Sequence, residues 1–231
     1  MNAAARLGIL GGTLDPIHLG HIETALAARA ALSLDRVIVM PSRVPPHRQH
    51  QPIASRYHRF AMAALAINGL DGLVASDMEL CAPGPSYTAD TLSRFQAISG
   101  LPAAQIFFIT GADTFAEIET WHRYPEVLDL AHFVVVSRPG YPVGSLIARL
   151  PGLAARMRPA DTGQHRLAQL TIHLLDGRTP DVSSTEIRRR LVAGERLTDL
   201  VPPAVETHIR QHGLYAQASA PSTADHLHGQ D

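Results

Sequence analysis

Residues 7–21 read LGILGGTLDPIHLGH, a stretch in which a short apolar run leads through paired glycines into a helix start. The run Leu7–Leu10 predicts a buried strand, because it is apolar without polar alternation. Gly11 and Gly12 remove side chains where the chain turns tightly, which lets a ligand approach the backbone closely. Asp15 and the proline after it indicate a helix start, since proline is tolerated in the first helical turn. The stretch therefore predicts a strand, a turn and a helix that meet at a ligand site.

The rest of the chain continues this alternation of short apolar runs with longer helical patterns. Further strands are predicted at Val37–Met40, Leu73–Ala75, Ile106–Thr110, Phe133–Val136 and Thr171–Leu174. Helices are predicted near Leu19–Ala31, Ser55–Ile67, Thr88–Ser99, Tyr124–Leu130 and Thr185–Ala193. This order predicts an α/β fold, a Rossmann-like doubly wound parallel sheet, whose ligands bind beyond the carboxyl ends of the strands.

The composition excludes several classes of protein. The chain has 231 residues, 45% of them hydrophobic and 18% charged, which suits one compact domain rather than a fibrous or disordered chain. Acidic and basic residues nearly balance, with a formal charge of -1, so we expect no nucleic-acid partner and no membrane partner. All 20 basic residues are arginine, which excludes any mechanism that needs a lysine.

The cysteine count and the two ends of the chain predict the compartment and the domain limits. The single cysteine, Cys81, excludes an intramolecular disulfide and a multi-cysteine zinc site. The N-terminus lacks a signal-peptide pattern and no run approaches about 18 apolar residues, so we expect a cytoplasmic protein. We expect one domain over residues 1–215, with a variable excursion at 141–168, followed by a disordered tail at 216–231. A homo-oligomer is compatible with the sequence.

Two histidines follow the glycine turn. His18 and His21 are three residues apart, so in a helix they share one face at its positive end. A polyanion bound there would meet backbone N–H groups and two imidazoles together. The alternative is that these rings only cap a helix or pack in the core. A zinc site is the weaker interpretation, because helical His ligands are usually four apart. His208 and His212 have that spacing, although solvent exposure is their more ordinary role.

The string GGTLDPIHLGH at residues 11–21 resembles the signature of the HxGH nucleotidyltransferases. With its GGT and DP it is similar in particular to the bacterial nicotinate-nucleotide adenylyltransferases. The resemblance implies a single nucleotidyltransferase domain in which His18 and His21 contact phosphates and stabilise the transition state. One departure is Leu14, where that family usually carries phenylalanine.

Two loop segments match the same family. PSRVPPHR at 41–48 is similar to a loop that ends in Pro-Pro-His-Lys, with Arg48 in place of the lysine. SYTADTL at 86–92 predicts a helix start with Ser86 or Thr88 as its cap. In the family this second segment presents main-chain groups to the pyridine carboxylate. Taken alone, the two segments would be a Pro-rich surface turn and an ordinary cap.

Three residues near predicted strand ends extend the match. Asp113, in GAD at 111–113, is suited to hold ribose hydroxyls, as acidic residues do in other nucleotide folds. Trp121 is the only tryptophan; a lone tryptophan is more often a core residue, but the family pattern favours stacking on the pyridine ring. Arg138 is assigned by the resemblance to the dinucleotide site, with a surface ion pair as the alternative.

VSSTEIRRR at 182–190 is similar to the family's second signature, Ser-Ser-Thr-x-x-Arg. Ser183 and Glu186 have the spacing of a capping box, so a helix is predicted to begin at Ser183. The N–H groups of its first turn, the two hydroxyls after Ser183 and the guanidinium of Arg188 would together clamp a triphosphate. Taken alone, the segment would be a well-capped helix with a basic exposed face.

The resemblance implies that the protein transfers the adenylyl group of ATP to nicotinate mononucleotide, giving deamido-NAD and pyrophosphate by direct displacement, with Mg²⁺ as the cofactor. The implied catalytic residues are His18, His21 and Arg188. The implied ATP-binding residues are Gly11, Gly12, Thr13, Gly111, Asp113, Ser183, Ser184 and Thr185. The implied mononucleotide-binding residues are Asp15, His47, Arg48, Tyr87, Thr88, Trp121 and Arg138.

Other functions stay open at this point. The phosphate acceptor could instead be nicotinamide mononucleotide or another compound, and a non-catalytic nucleotide-binding module would share the same fold. An HxGH aminoacyl-tRNA synthetase is disfavoured, because the chain is short and has no lysine for that family's second signature. An NAD-dependent dehydrogenase is disfavoured because the first turn reads GILGGTLDP rather than G-x-G-x-x-G.

Overall fold

The computed structural model of the protein describes residues 5–45, 54–160, 170–177 and 179–216. Its strands are β1 Leu7–Gly12, β2 Arg36–Pro41, β3 Leu73–Ala75, β4 Ile106–Gly111, β5 His132–Val136, β6 Met157–Pro159 and β7 Ile172–Leu175. They form one sheet in the order β3-β2-β1-β4-β5-β7-β6, and every pairing is parallel. The predicted doubly wound parallel sheet is confirmed.

Helices cover both faces of this sheet. They are α1 Leu19–Ala31, α2 Arg56–Ile67, α3 Thr88–Ser99, α4 Ala112–Phe115, α5 Leu146–Arg149, α6 Ser184–Val192 and α7 Pro203–Gln211. One buried apolar cluster joins the sheet to α1, α2, α6 and α7, and a second joins its other face to α3, α4 and α5. Because the central strands are buried on both faces, they read as continuous apolar runs in the sequence. Among the described helices, none is long and apolar enough to cross a membrane.

Two segments differ from the predicted secondary structure. The predicted helix Tyr124–Leu130 contains only a 3₁₀ turn at Glu126–Asp129, because Pro125 supplies no N–H and the segment is short. The excursion contributes α5 and also β6, an edge strand beside β7 that the sequence did not indicate. β6 has only three residues and ends in proline, so it carries no apolar run. Residues 161–169 of this region and 217–231 of the predicted tail lie outside the described residues.

The strand order fixes where a ligand can bind. From β1 the chain crosses to β2 on one side, and from β4 it crosses to β5 on the other. β1 and β4 are neighbours, so the crossovers leave a crevice at their carboxyl ends. Gly12 ends β1 and Gly111 ends β4. The prediction of a turn at Gly11 and Gly12 was wrong: both residues pair with β2, and β1 carries them to the topological switch point of the sheet.

Candidate active site

A cleft opens at this switch point, and it has two adjoining compartments. The larger, here called the histidine compartment, has a volume of about 460 Å³. It is lined by the turn after β1, the end of β4 and the start of α6. The predicted site residues in its lining are Gly11, Gly12, Thr13, His18, His21, Gly111, Asp113, Arg138, Ser183, Ser184 and Thr185.

The smaller compartment, here called the aromatic compartment, has a volume of about 180 Å³. It shares the wall Gly11–Thr13 with the histidine compartment, and its own lining includes Tyr87, Trp121 and His122. The rings of Tyr87 and His122 stack with centroids 4.3 Å apart. Trp121 packs edge-on against Phe108, 6.2 Å between centroids, while it also lines the cleft. Trp121 therefore packs against the core and also lines the cleft, while its stacking on a pyridine ring stays a prediction.

The two histidines of the signature lie together at the start of α1. His18 is the N-cap residue and His21 lies in the first turn, with 3.7 Å between their ring centroids. The backbone N–H of His18 donates to Nδ1 of His21 across 3.3 Å. In the neutral ring this leaves the proton of His21 on Nε2, which can donate to a ligand. The spacing of three residues thus places both rings at the positive end of α1, as predicted.

Gly20 makes room for this pair. A Cβ atom at Gly20 would lie 3.1 Å from Cε1 and Nδ1 of His18 and 3.4 Å from a guanidinium nitrogen of Arg138. These separations are tighter than ordinary carbon contacts, so a side chain would displace the His18 ring. Gly111 has a similar role, because its Cβ would collide with the carboxylate of Asp113. Glycine at these two positions is a requirement of the compartment's shape.

Burial keeps both histidines neutral. His18 is 1% exposed, and its burial, reinforced by the nearby charge of Arg138, lowers its pKa to about 3. Burial together with the neighbouring His18 and Arg138 holds the pKa of His21 well below its usual value. A bound polyanion would oppose these shifts and favour the protonated rings. Among the described residues that line the histidine compartment, Arg138 is the one arginine, so it supplies the fixed positive charge.

A buried arginine holds the loop between β1 and α1. Arg59 of α2 is fully buried, and its guanidinium donates to the carbonyls of Thr13 at 2.7 Å, Arg43 at 3.2 Å and Ala54 at 3.3 Å. Burial lowers the pKa of Arg59, and the negative charge of Asp15 opposes that shift. One side chain therefore ties together three backbone segments around the cleft.

The C-terminal elements hold the same loop from the other side. Ser184 Oγ donates to the Pro16 carbonyl at 2.9 Å, and Arg188 donates to the Asp15 carbonyl at 2.6 Å. Tyr215 Oη donates to Oδ1 of Asp15 at 2.6 Å. These contacts join residues about 170 to 200 positions apart, so the loop's conformation depends on the complete fold.

Leu14 lies at the centre of this loop with a φ of 51°. A left-handed conformation at a non-glycine residue costs about 1 kcal/mol or more and persists only where the surroundings impose it. The hydrogen bonds on both sides of Leu14 impose it here. The Leu14 side chain is buried in the cluster that also packs α1 and α2, so an apolar residue satisfies this position.

The starts of α6 and α3 differ in how they are capped. Ser183 is the N-cap of α6 and accepts from the N–H of Glu186 at 3.2 Å, as predicted. The carboxylate of Glu186 pairs with Arg189 and Arg190 instead of returning to the cap, so only half of the predicted capping box forms. The N-cap of α3 is Tyr87, rather than Ser86 or Thr88.

Free N–H groups remain at the start of α3. Ser86, one of the predicted caps, accepts from the N–H of Arg43 at 2.8 Å instead. In the described part of the chain, the Tyr87 side chain caps none of the first N–H groups of α3. Tyr87 and Thr88 both line the aromatic compartment. A helix start with uncapped N–H groups is a suitable receptor for a carboxylate.

Three predicted site residues, Arg138, Asp15 and Arg188, lie away from the compartment in which the resemblance implied them. Arg138 was assigned to the mononucleotide, yet it lines the histidine compartment, because β5 ends beside Gly111 of β4. In the described structure Asp15 and Arg188 line neither compartment. The Asp15 carboxylate is buried under Tyr215, and the Arg188 guanidinium rests on the Asp15 carbonyl. The predicted residues His47 and Arg48 lie outside the described residues.

Four residues that shape the site were not predicted from the sequence: Gly20, Arg59, Glu79 and Tyr215. Glu79 is buried in the wall of the aromatic compartment and accepts from Thr91 Oγ1 at 2.6 Å, and burial raises its pKa. The glycine inside HLGH was a usable signal for Gly20. Arg59, Glu79 and Tyr215 gave no local signal, because their partners are distant in sequence.

Comparison with known proteins places this geometry in a family. The family model described as cytidylyltransferase-like matches residues 9–190. A probable nicotinate-nucleotide adenylyltransferase of Desulfatibacillum aliphaticivorans is 40% identical over 220 residues, covering 91% of this chain and 99% of that protein. A probable nicotinate-nucleotide adenylyltransferase of Aeromonas hydrophila is 41% identical over 217 residues, covering 92% of this chain and 98% of that protein.

A solved structure has the same fold at low sequence identity. The nicotinic acid mononucleotide adenylyltransferase of Plasmodium falciparum, complexed with NaAD, matches with a TM-score of 0.70 and 17% identity. The match covers 92% of this chain and 98% of that chain. Its identity is too low to show more than the fold, whereas the curated relatives are close over nearly their whole length. This chain belongs to the cytidylyltransferase-like family and, within it, to the nicotinate-nucleotide adenylyltransferases.

Proposed function

We propose that this protein transfers the adenylyl group of ATP to nicotinate mononucleotide, forming deamido-NAD and releasing pyrophosphate. The observation that carries the proposal is the meeting of the two compartments at Gly11–Thr13. One compartment offers imidazoles, Arg138 and a helix start to a triphosphate. The other offers aromatic rings and a second helix start to a pyridine carboxylate. Relatives about 40% identical carry the name of this activity, and a protein of the same fold is complexed with NaAD.

The chemistry suited to this cleft is direct displacement. The anionic 5′-phosphate oxygen of the mononucleotide attacks the α-phosphorus of ATP, and the bond between that phosphorus and the bridging oxygen breaks to release pyrophosphate. The nucleophile is already charged, so no strong general base is needed and no covalent enzyme intermediate forms. Catalysis then rests on positioning and on N–H donors, with His18 and His21 donating to phosphoryl oxygens as charge builds up.

The start of α6 supplies further phosphate contacts. Its first turn lines the histidine compartment, where backbone N–H groups and the Thr185 hydroxyl are suited to donate to a phosphate, whereas the Ser184 hydroxyl already donates to the Pro16 carbonyl. Arg188 lies behind this lining: its guanidinium donates to the Asp15 carbonyl and to Thr185 Oγ1, so it positions the loop after β1 and the Thr185 hydroxyl. Arg138 lines the compartment and provides the guanidinium for a phosphate. On the opposite wall, Asp113 is suited to the ribose hydroxyls.

The lining fits a magnesium ion that arrives with ATP. Asp113 is the only carboxylate among the described residues that line the histidine compartment. Mg²⁺ prefers oxygen ligands and keeps several waters, so phosphate oxygens and water would hold the ion, while the Asp113 carboxylate stays with the ribose hydroxyls. When bound, the ion supplies positive charge that neutralises the triphosphate.

A second candidate is the same transfer to nicotinamide mononucleotide. The buried carboxyl group of Glu79 in the aromatic compartment favours it, because a carboxylate accepts from an amide but repels the carboxylate of nicotinate. Two features oppose this candidate. Burial raises the pKa of Glu79, which weakens the repulsion, and the uncapped start of α3 attracts negative charge.

The test is pyrophosphate release with ATP and Mg²⁺, with the two mononucleotides offered in parallel. We expect strong preference for nicotinate mononucleotide, measured as the ratio of the two kcat/KM values. Equal use or the reverse preference would favour the second candidate and a dominant role for Glu79. Release with neither compound would identify a nucleotide-binding module without this activity.

A further inference from the structure

A third histidine joins the α7 pair on the outer surface. His208 and His212 lie one turn apart at the end of α7, and His58 lies in the first turn of α2. Nδ1 of His58 and Nε2 of His208 are 3.1 Å apart. One ring nitrogen from each of the three residues lies within 4.8 Å of the other two. The fold thus brings together a histidine and a helical pair about 150 residues further along the chain.

This arrangement has the dimensions of a metal site. Zinc–nitrogen bonds of about 2.0–2.1 Å in a tetrahedral site place two ligand nitrogens roughly 3.4 Å apart. One pair already has this separation, and rotation of the exposed His212 side chain closes the remaining gap. Two histidines four apart on a helix are a recurrent ligand pair. His58 and His208 are half-buried whereas His212 is exposed, which leaves one coordination position open to water.

The charged neighbours leave the three rings available. Glu206 and Arg210 flank His208 on α7, and they pair with each other, with the carboxylate accepting from the guanidinium at 2.7 and 2.9 Å. Arg56, two residues before His58, lies over the ring of Tyr57. These charges are therefore engaged elsewhere, and a bound ion would take the place of the hydrogen bond between Nδ1 of His58 and Nε2 of His208.

We propose that His58, His208 and His212 bind one divalent transition metal ion such as Zn²⁺, through one nitrogen each, with water as the fourth ligand. The ion joins the first turn of α2 to the end of α7. Arg59 follows His58 and holds the Thr13 carbonyl, and Tyr215 follows the end of α7 and holds Asp15. The site is structural: the ion joins α2 and α7. Arg59 of α2 and Tyr215 after α7 hold the loop between β1 and α1.

Zinc binding and thermal unfolding of the tag-free, metal-depleted full chain test the proposal. We expect one Zn²⁺ per chain in competition with a chromophoric chelator. At a free Zn²⁺ concentration near 100 Kd, we expect Tm to rise by about 5–10 °C. Co²⁺ in place of Zn²⁺ gives the visible absorption of a low-coordinate nitrogen site. His208→Gln lowers the affinity at least about tenfold and so removes at least about half of the rise in Tm at the same Zn²⁺ concentration.

Matched variants separate this site from the other histidines. His212→Gln changes an exposed side chain and so keeps the fold even if His208→Gln does not, yet it also loses Zn²⁺. The tail double variant His226→Gln, His228→Gln and the signature variant His21→Gln both keep the bound ion. Loss of Zn²⁺ in either of these last two, with retention in the trio variants, would overturn the proposal. A wild-type chain that binds no Zn²⁺ and shows no shift in Tm would overturn it as well.

Discussion

Two groups of histidines in this protein differ in surroundings and therefore in chemistry. His18 and His21 lie three apart, with one ring almost fully buried beside Arg138. His208 and His212 lie four apart at the surface, where His58 completes a trio with ring centroids 4.4–5.3 Å apart. The inner pair is surrounded by N–H donors and a cation, which suits an anion. The outer trio gathers three ring nitrogens within 4.8 Å of one another, which suits a cation.

The difference shows that residue type and spacing do not decide the role of a histidine. The inner rings share the compartment with a guanidinium and two helix starts, all of which disfavour coordination of a metal ion by the imidazoles themselves. The outer rings have neighbouring charges that are already paired. The arrangement around each group, set by the complete fold, determines what it binds.

The largest expected effect concerns Arg59, which lies between the two groups. Arg59→Met leaves the carbonyls of Thr13, Arg43 and Ala54 without this donor and removes one of the cations near the buried Asp15. We expect the free energy of unfolding to fall by about 3–5 kcal/mol, measured by urea denaturation. Arg56→Met, in the same turn of α2, is the matched control and should cost less than about 1 kcal/mol. Equal losses of unfolding free energy in the two variants would contradict the role of Arg59 in holding the three carbonyls.

The change of the free energy of unfolding with pH tests whether His18 of the inner pair is buried and neutral. The folded pKa of His18 is about 3, so between pH 7 and pH 5 the unfolded chain takes up a proton that the folded chain does not. Stability is therefore lost as the pH falls below about 6.5, and His18 alone contributes about 2 kcal/mol of that loss. We expect His18→Asn to lose less free energy of unfolding than the wild type between the two pH values. Equal losses in both proteins would refute the neutral, buried His18.

A smaller effect tests the packing inside the inner pair. Gly20→Ala places a Cβ atom 3.1 Å from the His18 ring, so we expect kcat to fall about tenfold while Tm stays within a few degrees, since alanine favours the helix. Gly144→Ala, where a Cβ atom meets open space, is the matched control and should keep both values. Unchanged kcat in Gly20→Ala would show that the ring position is not critical.

Local sequence patterns predicted the central strands of the sheet. The apolar runs of β1, β4 and β5 identified the sheet, because those strands are buried on both faces and need no polar alternation. The stretch 7–21 predicted the strand and a helix from Leu19 correctly, but Gly11 and Gly12 are the last residues of β1 instead of a turn, and Pro16 lies before the N-cap of α1 instead of in its first turn. The family predicted from that stretch is confirmed by the matching family model and the close relatives. β6 and the 3₁₀ turn after Pro125 carried no comparable pattern, so their prediction failed.

The residues that hold the site in place could not be predicted from the sequence, and the reason is physical. Arg59, Tyr215 and Glu79 act through partners that only the folded chain brings near, such as Asp15, which lies 200 residues before Tyr215. Arg138 was predicted as a site residue, but its compartment depends on the pairing of β5 with β4. Local spacing cannot report contacts of this kind, so the predicted roles of individual site residues stay predictions.

The most direct test of the account is the rate of deamido-NAD formation by His21→Ala at saturating ATP, Mg²⁺ and nicotinate mononucleotide. Loss of one positioned donor to the transition state predicts a fall in kcat of about a hundredfold or more, with Tm near that of the wild type. His228→Ala, which removes an imidazole outside the signature, is the matched control and should keep the wild-type rate. A kcat for His21→Ala within about threefold of the wild type would contradict the catalytic role of the inner pair.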